Sequence, residues 1–229
     1  MQDLQGDGSK SSSRLRQFLR VAATFAWDVL IGVIIIALLV LVLFALSGVW
    51  PPFVAIESGS MEPNMNEGDL VFLVDEDRYV SHSGGGETGL ITHEEGKEIG
   101  HIAFGKPGHV VVFDVGDGST PIIHRLHLWV EEGENWYERA NPDYLGPAES
   151  CEDLVMCPAP YDGYITKGDA NDNYDQINNN IEIVKPEWIE GRAAIRIPYL
   201  GKLRLSLSAS LEAGLDVGLN FPDLREAGI

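Results

Sequence analysis

Residues 53–74, FVAIESGSMEPNMNEGDLVFLV, join a long apolar run to the first strand-like run of a polar domain. Within this stretch, Ser58 and Ser60 flank one glycine, and a Met-Glu-Pro sequence follows. Such a turn either leads the chain into a folded domain or presents a nucleophile. Because a serine hydroxyl is a poor nucleophile without a neighbouring base, the second interpretation requires a base and an orienting acid elsewhere in the chain.

The apolar run before this stretch has the length of a membrane-spanning helix. Its inner part, VLIGVIIIALLVLVLFALSGV, has 21 uncharged residues, and a spanning helix needs about 20. A cleaved signal peptide would have a shorter apolar region, roughly 7–15 residues. We therefore predict an uncleaved transmembrane anchor at residues 21–50, preceded by a disordered cytoplasmic segment at residues 1–20.

Basic residues predict the orientation of this anchor. Lys10, Arg14, Arg16 and Arg20 precede it, whereas residues 49–77 contain no lysine or arginine. Positive charge near a membrane span favours the cytoplasmic side. We therefore expect a single-pass protein in the cell membrane, with a cytoplasmic N-terminus and the large C-terminal part outside the cell.

The exterior part is strongly acidic. Residues 49–229 carry 12 Lys/Arg against 32 Asp/Glu, a net charge of −20. Such a charge repels nucleic acid, so nucleic acid is excluded as a partner, and at low salt it destabilises the fold by self-repulsion. The domain is either merely acidic or adapted to a salty exterior, where the Debye length is about 3 Å at 1 M salt. We favour the second interpretation.

The exterior part has the pattern of a mostly β domain, which we predict at residues 51–201. Short β-rich runs alternate there with Gly, Asp and Asn. The runs are DLVFLV, HVVVFDV, PIIHRLHLWV, NWYERA, GYITKGD and AAIRIPYL. No long amphipathic helix is evident among them.

A Gly-rich, hydrophilic insertion at residues 81–108 interrupts these runs. It contains three histidines, and one more follows it. The four are His82, His93, His101 and His109. Their spacings match no metal-ligand pattern, so we expect a solvated loop and no metal.

Two further features leave alternatives open. In the C-terminal stretch, residues 202–229, apolar and polar residues alternate from Leu203 to Phe221, as in a strand with one buried face. That face packs on the domain or rests on the membrane. Cys151 and Cys157 can form a disulfide outside the cell, but their spacing alone does not decide whether they do.

A base for the serine can come from the strand-like run IIHRLHLW. His124 and His127 are three residues apart and point to opposite faces of a strand. His124 then shares its face with Leu126 and Leu128, and His127 shares its face with Trp129. A half-buried histidine is usually a core residue, so this pattern leaves both a structural and a catalytic role open.

An acid to orient the base can come from ITKGDANDNYDQ, which holds Asp169, Asp172 and Asp175. An Asx-rich turn also explains these residues. A calcium loop of the EF-hand type requires glycine at its sixth position and glutamate at its twelfth. Counted from Asp169, these positions hold Tyr174 and Asn180, so the calcium loop is excluded.

Taken in chain order, five segments resemble the successive conserved boxes of signal peptidase I. They are SGSMEPNMNEGDLVF, GHVVVFD, IIHRLH, ITKGDANDNYDQ and GRAAIRIPYLG. The resemblance is to the archaeal and endoplasmic-reticulum branch, which uses histidine where bacterial enzymes use lysine. It covers the chain from the anchor to about Gly201. Together with the acidity, it implies an archaeal, halophilic origin.

The resemblance implies a role for each candidate residue. Ser60 is the nucleophile, His124 the general base, and Asp175 the triad acid with Asp169 as a supporting carboxylate, or the reverse. Ser58 and the backbone N–H of Ser60 form the oxyanion hole. The apolar residues implied to line the substrate pockets are Phe53, Val54, Ile56 and Met61. No cofactor is implied.

The implied activity is a membrane-anchored serine endopeptidase that cleaves N-terminal signal peptides from secretory preproteins, with small side chains at the −1 and −3 positions of the substrate. Membrane lipid and the protein translocation machinery are the other implied partners. The related self-cleaving repressors use lysine, so His124 and the anchor argue against them. A non-catalytic accessory subunit of a processing complex is the alternative, and the intact triad residues argue against it.

Overall fold

The structure is a computed structural model, and the residues that it describes are 7–76, 78, 88–116, 120–178 and 181–202. The chain divides into two compact units, Met1–Leu46 and Ser47–Ile229. The alternating stretch at residues 203–221 and His82 lie outside the described residues.

The N-terminal helix has the length and composition of a membrane span. Helix α1 runs over Asp7–Ser47, and its part Arg16–Ser47 is long and apolar enough to cross a membrane. The helix begins earlier than predicted, inside the segment 1–20 that composition assigns to disorder. Once a helix is nucleated, each further residue gains one backbone hydrogen bond, so it extends back through the Ser-rich segment to Asp7. Residues 1–6 lie outside the described part.

The second unit is built on a curled six-stranded antiparallel sheet. In chain order the strands are β1 (Phe53–Ala55), β2 (Leu70–Val74), β3 (Ile102–Ala103), β4 (Lys106–Pro107), β5 (Val110–Phe113), β6 (Ile122–Val130), β7 (Gly163–Lys167) and β8 (Ile189–Ile197). The sheet order is β1-β2-β8-β5-β6-β7, and β3 pairs with β4 in a separate hairpin. The predicted mostly β, signal-peptidase-like fold behind an N-terminal apolar helix is confirmed.

The core of this unit lies on both faces of the sheet. All four residues of β5 are fully buried. Val110 and Val112 pack with one hydrophobic cluster, and Val111 and Phe113 pack with another. A strand covered on both faces needs apolar residues at every position, which explains the continuous apolar run in the sequence.

A bulge in β6 changes which residues share a face. The pairing with β7 skips between Leu126 and Leu128, so His127 is the extra residue. As a result, Trp129 packs in the same cluster as Leu126, whereas Leu128 packs in a different one. The predicted grouping of Leu128 with His124, and of Trp129 with His127, is therefore wrong. A single inserted residue reverses the faces of all that follow.

Residues 88–108, the described part of the predicted loop insertion 81–108, form regular structure. Helix α2 spans His93–Ile99 and is followed by the β3–β4 hairpin. Leu90 and Ile91 before the helix are buried in the domain. The segment is hydrophilic on average, so its composition does not reveal these two buried apolar residues. The prediction of a solvated loop is wrong for this part.

Local signals explain why α2 forms. The Thr92 side chain accepts a hydrogen bond from the N–H of Glu95 (3.2 Å), which caps the N-terminus, and Gly100 ends the helix in a left-handed conformation. The helix also lies directly against the β3–β4 hairpin. A Cβ at Gly96 would be 2.6 Å from the backbone nitrogen of Gly108, so only glycine allows this approach.

His109, which directly follows this segment, is buried. His109 is 3% exposed and accepts a hydrogen bond at Nδ1 from the N–H of Ile91 (3.0 Å). Its burial, followed by the charge of Arg192, lowers the pKa of His109 to about 3. Within the described ranges, no group of three or more His, Cys, Asp or Glu residues is placed to hold a metal ion.

The region between β6 and β7 lacks one predicted strand and contains the disulfide that the sequence left open. The run NWYERA forms a single 3₁₀ turn at Trp136–Glu138 rather than a strand. The buried indole of Trp136 donates to the carbonyl of Met156 (2.7 Å). The run lacks the alternation that would fix a strand, and one turn is enough to bury one indole. Nearby, Cys151 and Cys157 form a disulfide, with sulfur atoms 2.00 Å apart.

Candidate active site

Ser60 lies in the turn between β1 and β2. The N–H of Glu62 donates to the carbonyl of Gly59 (3.0 Å), which closes the turn around the serine. The hydroxyls of Ser58 and Ser60 lie 3.3 Å apart. No acceptor bonds the Ser60 N–H among the residues that the structure describes. This turn thus presents hydroxyls and an amide that can donate to a developing oxyanion.

Two hydrogen bonds hold the Ser60 turn against the segment that follows β7. The N–H of Ala170 donates to the carbonyl of Ser60 (2.8 Å), and the side-chain amide of Asn64 donates to the Asp169 carboxylate (2.7 Å). The approach is close, because a Cβ at Gly168 would lie 2.7 Å from the Ser60 carbonyl oxygen. The sequence KGD therefore packs directly on the candidate nucleophile.

His124 and Asp175 form a buried pair. His124 Nδ1 lies 2.6 Å from Asp175 Oδ2, and their side chains are only 8% and 4% exposed. The hydroxyl of Thr166 donates to the same carboxylate oxygen (2.7 Å). An imidazole that donates from Nδ1 to a carboxylate keeps Nε2 as an acceptor. The pair can therefore remove a proton at Nε2 and stabilise the resulting charge.

Asp169 belongs to a different network. Arg125, which is fully buried, donates from Nε (2.9 Å) and Nη2 (2.8 Å) to the two oxygens of the Asp169 carboxylate. Burial alone would raise the pKa of Asp169, but the hydrogen bonds and charge of Arg125, with smaller contributions from Asn64 and Lys106, outweigh it and lower the pKa. Such a bidentate pair fixes geometry and keeps the carboxylate charged.

Ser60 and His124 both bond the segment that follows β7, Ser60 through Ala170 and His124 through Asp175. The described part of the chain has no hydrogen bond between them, since the hydroxyl partner of Ser60 is Ser58 and the carboxylate partner of His124 is Asp175. In free enzymes, catalytic hydrogen bonds are often long and tighten only when substrate binds. This geometry is compatible with a serine–histidine pair.

The four predicted substrate-pocket residues separate into two groups. Ile56 and Met61 are 1% and 0% exposed and belong to a hydrophobic core cluster. Phe53 and Val54, on the edge strand β1, are half-buried and keep part of their surface. Only the second pair has surface for contact with a substrate in this structure, because the turn folds Ile56 and Met61 beneath itself.

Sequence reasoning missed the residues that support the two carboxylates. Thr166 donates to Asp175 (2.7 Å), and the Gln176 side chain holds Thr166 by accepting from its N–H (3.1 Å). Arg125 and Asn64 support Asp169. All four lie in or beside the segments that resemble signal peptidase boxes, but periodicity alone does not say which polar residue meets a carboxylate on another element.

The chain is 24% identical over 159 residues to the signal peptidase complex catalytic subunit SEC11 of Schizophyllum commune. The chain is thus similar to a signal peptidase subunit. The match covers 69% of the chain and 65% of the relative, slightly less than two thirds of that protein's length. No protein-family model matches the chain.

This similarity supports the signal peptidase family at the level of the family. The apolar helix α1 and the same similarity support association with a membrane.

Proposed function

We propose that this chain is a membrane-anchored serine endopeptidase that cleaves N-terminal signal peptides from secretory preproteins. The observation that carries this proposal is the 2.6 Å contact between His124 and Asp175 beside the turn that binds the Ser60 carbonyl. The fold and the similarity to a signal peptidase subunit support the same conclusion.

The proposed mechanism assigns one task to each group. His124 Nε2 takes the proton of Ser60 as the serine oxygen attacks the scissile carbonyl carbon. Asp175 holds the imidazole by its Nδ1–H and stabilises the imidazolium. The Ser60 N–H and the Ser58 hydroxyl donate to the oxyanion. The carbon–nitrogen bond then breaks as His124 returns the proton to the leaving amine, and water hydrolyses the ester of the signal peptide on Ser60.

Asp169 is proposed as a supporting carboxylate. Its oxygens are occupied by Arg125 and Asn64, which leaves Asp175 as the acid that contacts the imidazole. Asp169 thereby fixes the turn after β7 against the Ser60 turn. Phe53 and Val54 are proposed to contact the residues before the cleavage site.

The membrane and the exterior complete the proposal. Helix α1 anchors the catalytic unit where preproteins leave the translocation machinery, with the basic N-terminal residues in the cytoplasm. The net charge of −20 on residues 49–229 suits a salty exterior. We propose an archaeal, halophilic source on the same grounds.

The direct test is cleavage of a secretory preprotein by the purified full chain in detergent at several molar salt. We expect the protein alone to release the mature protein, and mass spectrometry of the new N-terminus to map one cut after the signal peptide. A folded chain that cleaves only after partner subunits are added would instead support the accessory-subunit alternative.

Asp175→Asn tests the assignment of the acid. Asparagine cannot hold the imidazole in the required tautomer, so we expect kcat to fall by about 10⁴ with the fold retained. Asp172→Asn is the matched control, because Asp172 is exposed in the same segment, and it should keep the wild-type kcat. Equal kcat values for Asp175→Asn and the wild type would refute the assignment.

A further inference from the structure

Lys167, the last residue of β7, is a buried cation that the proposed reaction does not use. It is 4% exposed, and its ammonium lies 4.5 Å from the centre of the Tyr144 ring. It donates to the carbonyls of Gly168 (2.9 Å) and Asn171. Burial, followed by the charge of Lys106, lowers the pKa of Lys167. Burying a lysine costs free energy unless its N–H groups form hydrogen bonds. The buried position of Lys167 and its two hydrogen bonds therefore require an explanation.

The two carbonyls are the ends of the turn that packs on the nucleophile. The N–H of Asn171 donates to the carbonyl of Gly168 (3.1 Å), so the Lys167 ammonium closes the turn a second time. Between these ends, the N–H of Ala170 donates to the carbonyl of Ser60 (2.8 Å). The turn that Lys167 closes therefore bonds the backbone of Ser60 directly.

We propose that Lys167 is a positioning residue that clamps the turn at residues 168–171 and thereby sets the place of Ser60 relative to His124. This inference rests on the proposed function. Without the ammonium, the carbonyl of Asn171 loses a charged donor and the turn can relax. The Ala170 N–H then moves with it, and so does the Ser60 carbonyl. A displacement of about 1 Å in a reacting group can cost as much as 10² in rate.

The location of Lys167 favours a positioning role over that of a general base. The side chain of Thr166 meets Asp175, and adjacent residues of a strand point to opposite faces. The Lys167 side chain therefore leaves β7 on the face opposite to that of Thr166, although the charge of Asp175 still acts on it. Two of its three donors bond backbone carbonyls of the turn, so it acts on Ser60 through the turn.

The kinetic test compares Lys167→Met, which keeps the length but removes the donors, with Lys167→Arg, which keeps charge and donors. We expect Lys167→Met to lower kcat for preprotein cleavage by about tenfold to hundredfold with KM nearly unchanged, and Lys167→Arg to recover most of kcat. Lys185→Met is the matched control, since Lys185 also lies over aromatic rings, those of Tyr161 and Trp188, and it should behave as wild type.

A second readout needs no substrate. Mass spectrometry measures hydrogen exchange at the Ala170 amide. This exchange should be faster in Lys167→Met than in the wild type and unchanged in Lys185→Met. Wild-type kcat or wild-type exchange in Lys167→Met would overturn the inference. Equally reduced kcat in Lys167→Met and Lys167→Arg, with an altered pH dependence of the residual kcat in the arginine variant, would instead indicate a base. Failure of the proposed function is distinguished from both, because the wild type itself would then not cleave.

Discussion

Ser60→Ala is expected to lower kcat for preprotein cleavage by a factor on the order of 10⁶. The variant removes the only atom that the proposed mechanism uses to attack the scissile carbonyl. It should not unfold the domain, because the turn is held by backbone atoms and by Asn64 rather than by the hydroxyl. The measurement is product formation over long incubations, with melting temperature as the check on folding.

Alanine substitutions at two other serines test whether the loss of kcat is specific to Ser60. Ser58→Ala removes one proposed oxyanion donor, so we expect a smaller loss of about 10²–10³ in kcat. Ser150→Ala is the control, because the Ser150 hydroxyl bonds Asp153 on the disulfide loop (3.1 Å), and it should leave kcat unchanged. Wild-type activity in Ser60→Ala would mean that the turn between β1 and β2 only leads the chain into the domain.

His124→Ala is expected to have an effect of the same size, on the order of 10⁶ in kcat, because the serine hydroxyl is unreactive without its base. The substitution also leaves Asp175 with Thr166 as its remaining side-chain partner, so some loss of stability should accompany it. The control is His127→Phe, three residues along β6, which keeps an aromatic ring packed against Tyr144 and Tyr174 and should keep the wild-type kcat.

Strand periodicity and apolar patterning were enough to predict most of the sheet. β2, β5, β6 and β7 fall within the runs that the sequence predicts, because each strand is buried on at least one face. Period-2 patterning does not reveal an inserted residue. The bulge at His127 therefore reversed the predicted faces of Leu128 and Trp129.

Composition was a poor guide to the segment before β5. Its polar residues are on the surface of α2, but Leu90, Ile91 and the contact between Gly96 and Gly108 hold the segment to the domain. These contacts involve only a few residues, two of them glycines, so the average composition of the segment does not reveal them. The capping residues Thr92 and Glu95 were the local signal that could have predicted the helix.

The proposed roles of the two carboxylates rest on contacts that no local sequence pattern contains. Asp169 and Asp175 lie six residues apart in one polar segment, and the sequence allowed either as the acid. In the structure, Asp169 bonds Arg125 and Asp175 bonds His124, although Arg125 and His124 are adjacent in β6. Adjacent residues of a strand face opposite ways, which separates the two carboxylates in space.

The measurement that tests the account most directly is kcat of the double variant Ser60→Ala/His124→Ala beside the two single variants. If the histidine acts only by taking the serine proton, His124→Ala should cost nothing more once Ser60 is gone, so all three variants should be equally slow. Independent effects that multiply in the double variant, or either single variant within about tenfold of the wild type, would contradict the account.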